Sequence, residues 1–407
     1  HNVCHIDDGI IYNSDLKGLY VNMSGGWHDA GDYLKFTSTI AESLILLEEA
    51  LIYGKLRTKS EIIEEIIWGL NYIERTWLPE HQALIYMVGN RTDHFQGDRL
   101  PEDDPLKNRP VYVCEHGKGA NIAGLVSSSL LLGYILGNES LISDCNYTKW
   151  LDIAISVYEY GMNNLDTREI GVGDWIAYPD YGWEDDMALA SILLFNIAKE
   201  EKYCNNAVQF FEAYLKKSDV LMTISNIFAL LHLHENGYNT TEDFYYELSW
   251  FNQRSESDPL FFIHEEYFWG SVPSMATVAL GEWMYEKTSQ DKTFERMRMR
   301  VINYMLGINQ WGICFITGYG EVYPRNLHHQ ILYVKNLTIP GILAEGGASK
   351  DLIESYEIPL LPPEEDPFYI FQSEEAIYQD VYWNYIVNEP TIRSQATIIF
   401  LFSTLFT

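Results

Sequence analysis

The sequence predicts an all-α fold: roughly ten to twelve helices in hairpin succession, closing as an (α/α)6 barrel or six-hairpin toroid with long functional loops at one end. Three observations point there. Apolar residues recur at helical spacing in segment after segment, strand signals are sparse, and the long loops hold most of the unusual chemistry. The predicted helices cover 39–53, 59–76, 120–136, 148–163, 185–200, 206–217, 221–235, 274–286, 292–306 and 391–406, with further helical segments at 241–251 and 374–384. The second carries Ile62, Ile66, Ile67, Leu70 and Ile73 on one stripe, the pattern of a helix that buries a single face. Strands are expected only at 84–88 and 331–334. The loops 79–110, 167–183, 309–345 and 357–372 connect these elements. No Ser/Pro-rich linker or compositional break divides the chain, so residues 1–407 read as one domain. No motif recurs as it would in a solenoid.

Composition narrows the function classes. Hydrophobic residues make up 47% and charged residues 21% of the chain, which is globular usage. The apolar stretches at 125–136 and 398–406 are shorter than the roughly 20 residues that span a bilayer and read as buried helices. A formal charge of −31 repels nucleic acid and anionic membranes. It leaves a neutral ligand unaffected and attracts a cationic one. The 11 Trp and 29 Tyr supply core, and also flat amphipathic faces on which the C–H side of a sugar can stack. Five scattered cysteines make no disulfide scaffold, and their odd number leaves at least one unpaired within the chain. Sequons at Asn22, Asn90, Asn138, Asn146, Asn239 and Asn336, with no initiator Met and no signal peptide, suggest a processed secretory product that acts as an extracellular monomer.

Gly25-Gly26-Trp27-His28-Asp29-Ala30-Gly31-Asp32 is the densest chemical signal. Its glycines disfavour a regular helix and let the chain hold two carboxylates close together at unusual backbone angles. Neighbouring carboxylates repel, so one holds a proton or both share a water or cation. That suits activation of a water molecule, although an acidic surface turn has the same composition. Near the other end, Asn388-Glu389-Pro390 sets a carboxylate at the start of the last helix, where it could cap the helix or do chemistry. Between them lie Tyr304-Met305-Leu306-Gly307-Ile308-Asn309, Gly318-Tyr319-Gly320 and Pro324-Arg325-Asn326-Leu327-His328-His329-Gln330. An adjacent His pair seldom serves one ion and fits the lining of a polar groove better.

Together, and in this order, these motifs resemble glycoside hydrolase family 9, the inverting β-1,4-glucanases and related exo-acting enzymes built on an (α/α)6 barrel. The resemblance runs from Cys4 to the C-terminus. It implies that Asp32 is the general base, that Asp29 helps hold the attacking water, and that Glu389 is the general acid. An inverting hydrolase keeps acid and base on opposite faces of the sugar, roughly 6.5–9.5 Å apart, which the two ends of a closed ring of helices could supply. Glu389 should then be partly desolvated. Val88-Gly89-Asn90-Arg91-Thr92-Asp93-His94 is similar to the family's sugar-contacting Asp-His segment and implicates His94. His328 matches the first residue of the family's His-His-Arg, and Tyr178 is a candidate stacking residue.

The resemblance also implies metals that play no part in the chemistry. Cys4, His5 and His28 look like three ligands of a structural zinc found in a subset of the family, which often carries an upstream immunoglobulin-like module absent from this chain; soft thiolate and imidazole suit Zn²⁺. Tyr181-Gly182-Trp183-Glu184-Asp185-Asp186 resembles a calcium site with carbonyls from Tyr181 and Gly182 and carboxylates from Asp185 and Asp186; capping of the following helix would need no ion. Three departures stand out. Gln330 replaces the family's Arg, Ser394 replaces a cleft aromatic, and Gly97 lies near the place of a usual Trp. The expected substrate is a β-1,4-linked polysaccharide or oligosaccharide. Alternatives are an exo-acting β-glucosidase or β-glucosaminidase on short oligosaccharides, or a non-catalytic sugar-binding relative.

Overall fold

The computed structural model describes residues 2–143, 145–172, 175–180, 182–217 and 222–405. The chain divides into two units: His1–Gly97 with Pro101–Thr240 and Phe402–Thr407, and Asp98–Leu100 with Thr241–Leu401.

The first unit contains α1 (Thr37–Tyr53), α2 (Lys59–Ile73), the short α3 (Arg91–His94), α4 (Ala120–Asn138), α5 (Thr148–Asn163), α6 (Glu184–Ala198), α7 (Glu201–Lys217) and α8 (Ile224–Glu235). Two kinds of helix alternate. α1, α4, α6 and α8 are buried nearly all round and pack against one another in that order. α2, α5 and α7 bury one stripe each. In α7 the stripe is Tyr203, Cys204, Ala207, Phe210, Phe211 and Tyr214, spaced so that one face meets the core. Where α4 crosses α6, a Cβ on Gly124 would lie 2.5 Å from the backbone of Asp186, so the close approach requires glycine. α4 is the one described helix long and apolar enough to cross a membrane, but 89% of its apolar window is buried in protein, as in a core helix.

A small sheet tightens the loops of this unit. β1 (Ile10–Ile11), β2 (Lys35–Phe36), β3 (Trp77–Leu78), β4 (Ala83–Val88) and β5 (Pro110–Val113) have the order β1-β5-β4-β2, with β3 on β4. β4 matches the expected strand at 84–88, and all six of its residues are buried. Lys35 pairs with Val88 and Phe36 with Met87, antiparallel. A separate hairpin joins β6 (Ile170–Val172) to β7 (Trp175–Tyr178).

The second unit contains α9 (Thr241–Ser257), α10 (Ser271–Ser289), α11 (Glu295–Met305), the short α12 (Gln330–Lys335), α13 (Lys350–Ser355) and α14 (Tyr385–Asn388), and α15 (Ile392–Thr404) as far as Leu401. α10 packs on α9 and α11. Two sequence expectations fail in this unit. Residues 331–334 belong to helix α12 rather than a strand, since a short apolar run does not separate the two states. Residues 374–384 form no helix. Their backbone groups are satisfied elsewhere: Ile377 pairs with Ala348, Tyr378 N–H donates to the Gln372 side chain, and the Gln379 and Val381 carbonyls accept from Asn388 Nδ2. Tertiary partners outweigh a weak helical pattern there.

Candidate active site

The loop that carries Asp29 and Asp32 is built by left-handed glycines. Gly25 and Gly26 have φ of +81° and +68°, and a Cβ on Gly26 would lie 2.7 Å from the Tyr72 ring. The turn closes when Asp29 N–H donates to the Leu34 carbonyl at 2.8 Å and Leu34 N–H donates to Asp32 Oδ1 at 2.8 Å. β2 follows at once and docks on β4. β4 runs through Gly89 into Asn90, whose side chain accepts from the N–H groups of Thr92 and Asp93 and starts α3. Strand pairing thus delivers His94 to the Asp loop, where its Nδ1 contacts Asp32 Oδ2. On β7, the Tyr178 hydroxyl donates to Asp29 Oδ2 at 2.5 Å. Asp29 is 2% exposed and Asp32 8%. The structure therefore gathers Asp29, Asp32, His94 and Tyr178.

Arg109, which the sequence does not single out, clamps this cluster from behind. It is 1% exposed. Its Nε and Nη2 donate to Asp8 at 2.8 and 2.6 Å, and its Nη1 donates to the Tyr33 carbonyl at 2.5 Å and to Asp93 Oδ2 at 2.7 Å. Tyr33 follows Asp32 and Asp93 precedes His94, so one guanidinium holds the neighbours of both contacting side chains. Lys35 Nζ joins the network through Asp8 and the Met23 carbonyl, both at 3.0 Å. Burial works against the Asp8 charge, yet Arg109 and Lys35 hold its carboxyl below the ordinary range. Burial lowers Lys35 to about 8, with Asp8 opposing. Nothing in the spacing of these residues marks them as partners.

In the second unit, Glu389 follows α14 and is 8% exposed. Asn388 beside it is fully buried, with its amide donating to the Gln379 and Val381 carbonyls and its Oδ1 accepting from Tyr378. The Asn388 carbonyl accepts from His328 N–H at 3.2 Å. His328 Nδ1 lies 2.8 Å from the Tyr382 carbonyl; a carbonyl only accepts, so Nδ1 carries the proton. The structure thus brings His328 to the segment that bears Glu389. Gln330, where a guanidinium was expected from the resemblance, accepts from Arg99 Nη1 at 3.3 Å, so a cationic group reaches this place from elsewhere in the chain. Ser394 is buried and bonded to Thr391.

Cys4, His5 and His28 converge, with their ligand atoms all within 4.8 Å, and among the described residues they are the one such group of three. His5 Nδ1 faces His28 Nε2 at 3.2 Å, and His5 Nε2 lies 3.1 Å from Asp104 Oδ2. A carboxylate behind one imidazole nitrogen, with the other turned to a second imidazole and a thiol, fits a transition-metal site. Burial raises the Cys4 thiol. The second set differs. Tyr181 lies outside the described residues. Gly182 N–H donates to Asp180, Asp185 Oδ2 accepts from Thr223 at 2.6 Å, and Asp186 Oδ1 accepts from Ser225 at 2.5 Å. Burial raises Asp185 to about 7, and burial with the Asp185 and Asp180 charges raises Asp186. These two carboxylates head α6 and share too little positive charge. Among the described residues Cys4, Cys114, Cys204 and Cys314 form no disulfide.

Comparison with known proteins places the chain in a family and a fold. The family model described as glycosyl hydrolase family 9 matches residues 1–402. The chain is 24% identical over 346 residues to Endoglucanase A of Bacillus pumilus, covering 78% of this chain and 51% of that protein, so it spans about half the length of that relative. It superposes on AaCel9A in complex with cellobiose-like isofagomine with a TM-score of 0.82 and 17% identity, over 100% of this chain and 78% of that one. On a Zn-binding triple mutant of the family 9 endoglucanase J30 the TM-score is 0.81, at 19% identity over 99% of this chain and 79% of that one. These likenesses carry the (α/α)6 barrel fold that the helix pattern predicts. The chain belongs to glycosyl hydrolase family 9.

Proposed function

We propose that the protein is a glycoside hydrolase that cleaves β-1,4-glucosidic bonds of cellulose, β-glucan or cello-oligosaccharides with inversion. The observation that carries this reading is the pairing, on one glycine-shaped loop, of Asp32 with His94 and of Asp29 with Tyr178 in a member of this family. Asp32 accepts a proton from water as the water oxygen bonds to the anomeric carbon. Asp29, oriented by the Tyr178 hydroxyl, holds that water. Glu389 gives its proton to the departing glycosidic oxygen as the C–O bond breaks, and the sum is addition of one water. His94 and His328 bind sugar hydroxyls, and Arg99 contributes a guanidinium beside Gln330. We read the protein as a secreted monomer, with residues 1–407 acting as a single catalytic domain.

Cys4, His5 and His28 would hold zinc, with Asp104 orienting His5; its role is to brace the loop that begins at His28, outside the chemistry. Calcium at Asp185 and Asp186, with the carbonyls of Tyr181 and Gly182, is supported by the raised carboxyls, whose charge a divalent cation would offset. An exo-acting reading on short or amino-sugar oligosaccharides is favoured by Ser394 standing in place of a cleft aromatic and by the −31 charge. Proton NMR of the first product from cello-oligosaccharides and chitosan oligosaccharides tests both readings. The α-anomer is expected first from the glucan, and the β-anomer would defeat inversion.

A further inference from the structure

A cavity of about 320 Å³ opens beside the glycine turn, lined by Ser24, Gly25, Gly26, Trp68, Asn71 and Arg75. Its side chains Trp68, Asn71 and Arg75 carry no role in the proposed hydrolysis, and only its glycines belong to the turn that leads to Asp29. Trp68 stands on α2 with 52% of its surface exposed, outside the buried face formed by Ile66, Gly69, Leu70, Tyr72 and Ile73. Its indole N–H donates to the Gly26 carbonyl at 3.0 Å, which holds the ring in place at the cavity wall. Arg75 Nη2 donates to the Ser24 carbonyl at 2.5 Å. Its Nε is buried without a hydrogen bond, and it makes no ion pair among the described residues. The acids nearest in sequence are engaged elsewhere: Glu65 accepts from Trp27, and Glu74 from Lys149 and Trp150. In a chain of net charge −31, this guanidinium is held in place yet pairs with no carboxylate among the described residues.

We propose that this cavity is a second saccharide site, which takes a pyranose bearing a carboxylate, a uronic acid residue. The apolar C–H face of the ring stacks on Trp68. The carboxylate meets the fork of Arg75, whose planar donors match it in pairs. Asn71 offers an amide to ring hydroxyls, and the volume is about that of eleven waters at roughly 30 Å³ each, enough for one sugar unit. Both main partners are pre-set by bonds to the glycine turn, so little ordering accompanies binding. The −31 field opposes an anion only weakly here, since it is screened beyond about 10 Å at moderate salt.

Methyl β-glucuronide, methyl β-glucoside and acetate are titrated into the full chain by saturation-transfer NMR and calorimetry, in excess cellobiose to occupy the hydrolytic groups. Saturable glucuronide binding is expected with a Kd on the order of 1 mM, at least about ten-fold tighter than for the other two probes. Trp68→Ala and Arg75→Gln each weaken it at least about ten-fold while keeping the parent's helical circular dichroism; Trp68→Phe, which retains an aromatic face, covers the case in which the alanine variant does not fold. The proposal is overturned by absent glucuronide binding, by equal binding of glucoside, by displacement with cellobiose, or by parent-like binding in folded variants. Each of these results leaves the hydrolase reading untouched.

Discussion

His94 and Asp32 stand 62 residues apart and meet side chain to side chain, Nδ1 against Oδ2. The contact exists because β2 and β4 are neighbours in one sheet. It couples the proposed base to a group that can donate to it and steer the orientation of its carboxylate, leaving the second oxygen in the turn with Leu34.

His94→Ala is therefore expected to lower kcat on cello-oligosaccharides by roughly 10-fold to 100-fold, more than it raises KM, because it releases the base from its orientation. Steady-state kinetics across a substrate series checks this. An effect confined to KM would make His94 a substrate contact only.

Asp32→Asn and Glu389→Gln each remove a proton-transfer group while keeping its shape. Each is expected to lower turnover by at least roughly 10²-fold. Near-parent rates in either variant, measured by reducing-sugar release, would take that residue out of its role.

Arg109→Met leaves Asp8 and Asp93 as buried carboxylates without their guanidinium. Removing one partner from such a network costs about 3–5 kcal/mol, so urea unfolding should shift strongly toward lower denaturant. A loss within 1 kcal/mol would mean that Lys35 alone compensates Asp8.

His232 is buried with Nε2 2.7 Å from Glu49 and Nδ1 3.5 Å from Glu235, a carboxylate that also accepts from Tyr53. Burial opposes its charge, but the two glutamates outweigh it and raise the imidazole to about 9. A folded value above the unfolded 6.5 means the proton stabilises the native state fully below pH 6.5, and that this support fades as pH rises toward 9. Lys35, lowered to about 8, acts with the opposite sign above pH 8, so the clean window is 6.5 to 8. The stability difference between parent and His232→Asn should shrink across that window in chemical denaturation, and a constant difference would contradict the charged imidazole.

Cys4→Ser should abolish stoichiometric zinc in dialysed protein and lower the melting temperature, with the oligosaccharide product pattern unchanged. Elemental analysis beside a thermal melt decides it: equal zinc in parent and variant would move the site elsewhere.

Periodicity alone located most long helices, because a helix that buries one stripe or all its faces writes that burial into its residue spacing. α2, α5 and α7 were legible for the first reason, α1 and α4 for the second. The Gly25 to Asp32 turn stood out by its glycines and paired carboxylates and Glu389 by its place at a helix start, whereas His94 and His328 were singled out only through the resemblance to the family. The stretches 331–334 and 374–384 were misread because four apolar residues, or a polar segment bonded by Gln372 and Asn388, carry no period of their own.

What only the folded chain decided are relations without local signal. Arg109 with Asp8, Tyr33 and Asp93, and Arg99 with Gln330, all join residues far apart in sequence. A buried charge is stable only beside its partner, and which partner arrives depends on how strands and loops cross. Residue spacing determined the helices and the chemical inventory, while long-range pairing decided which charges are held and where they point.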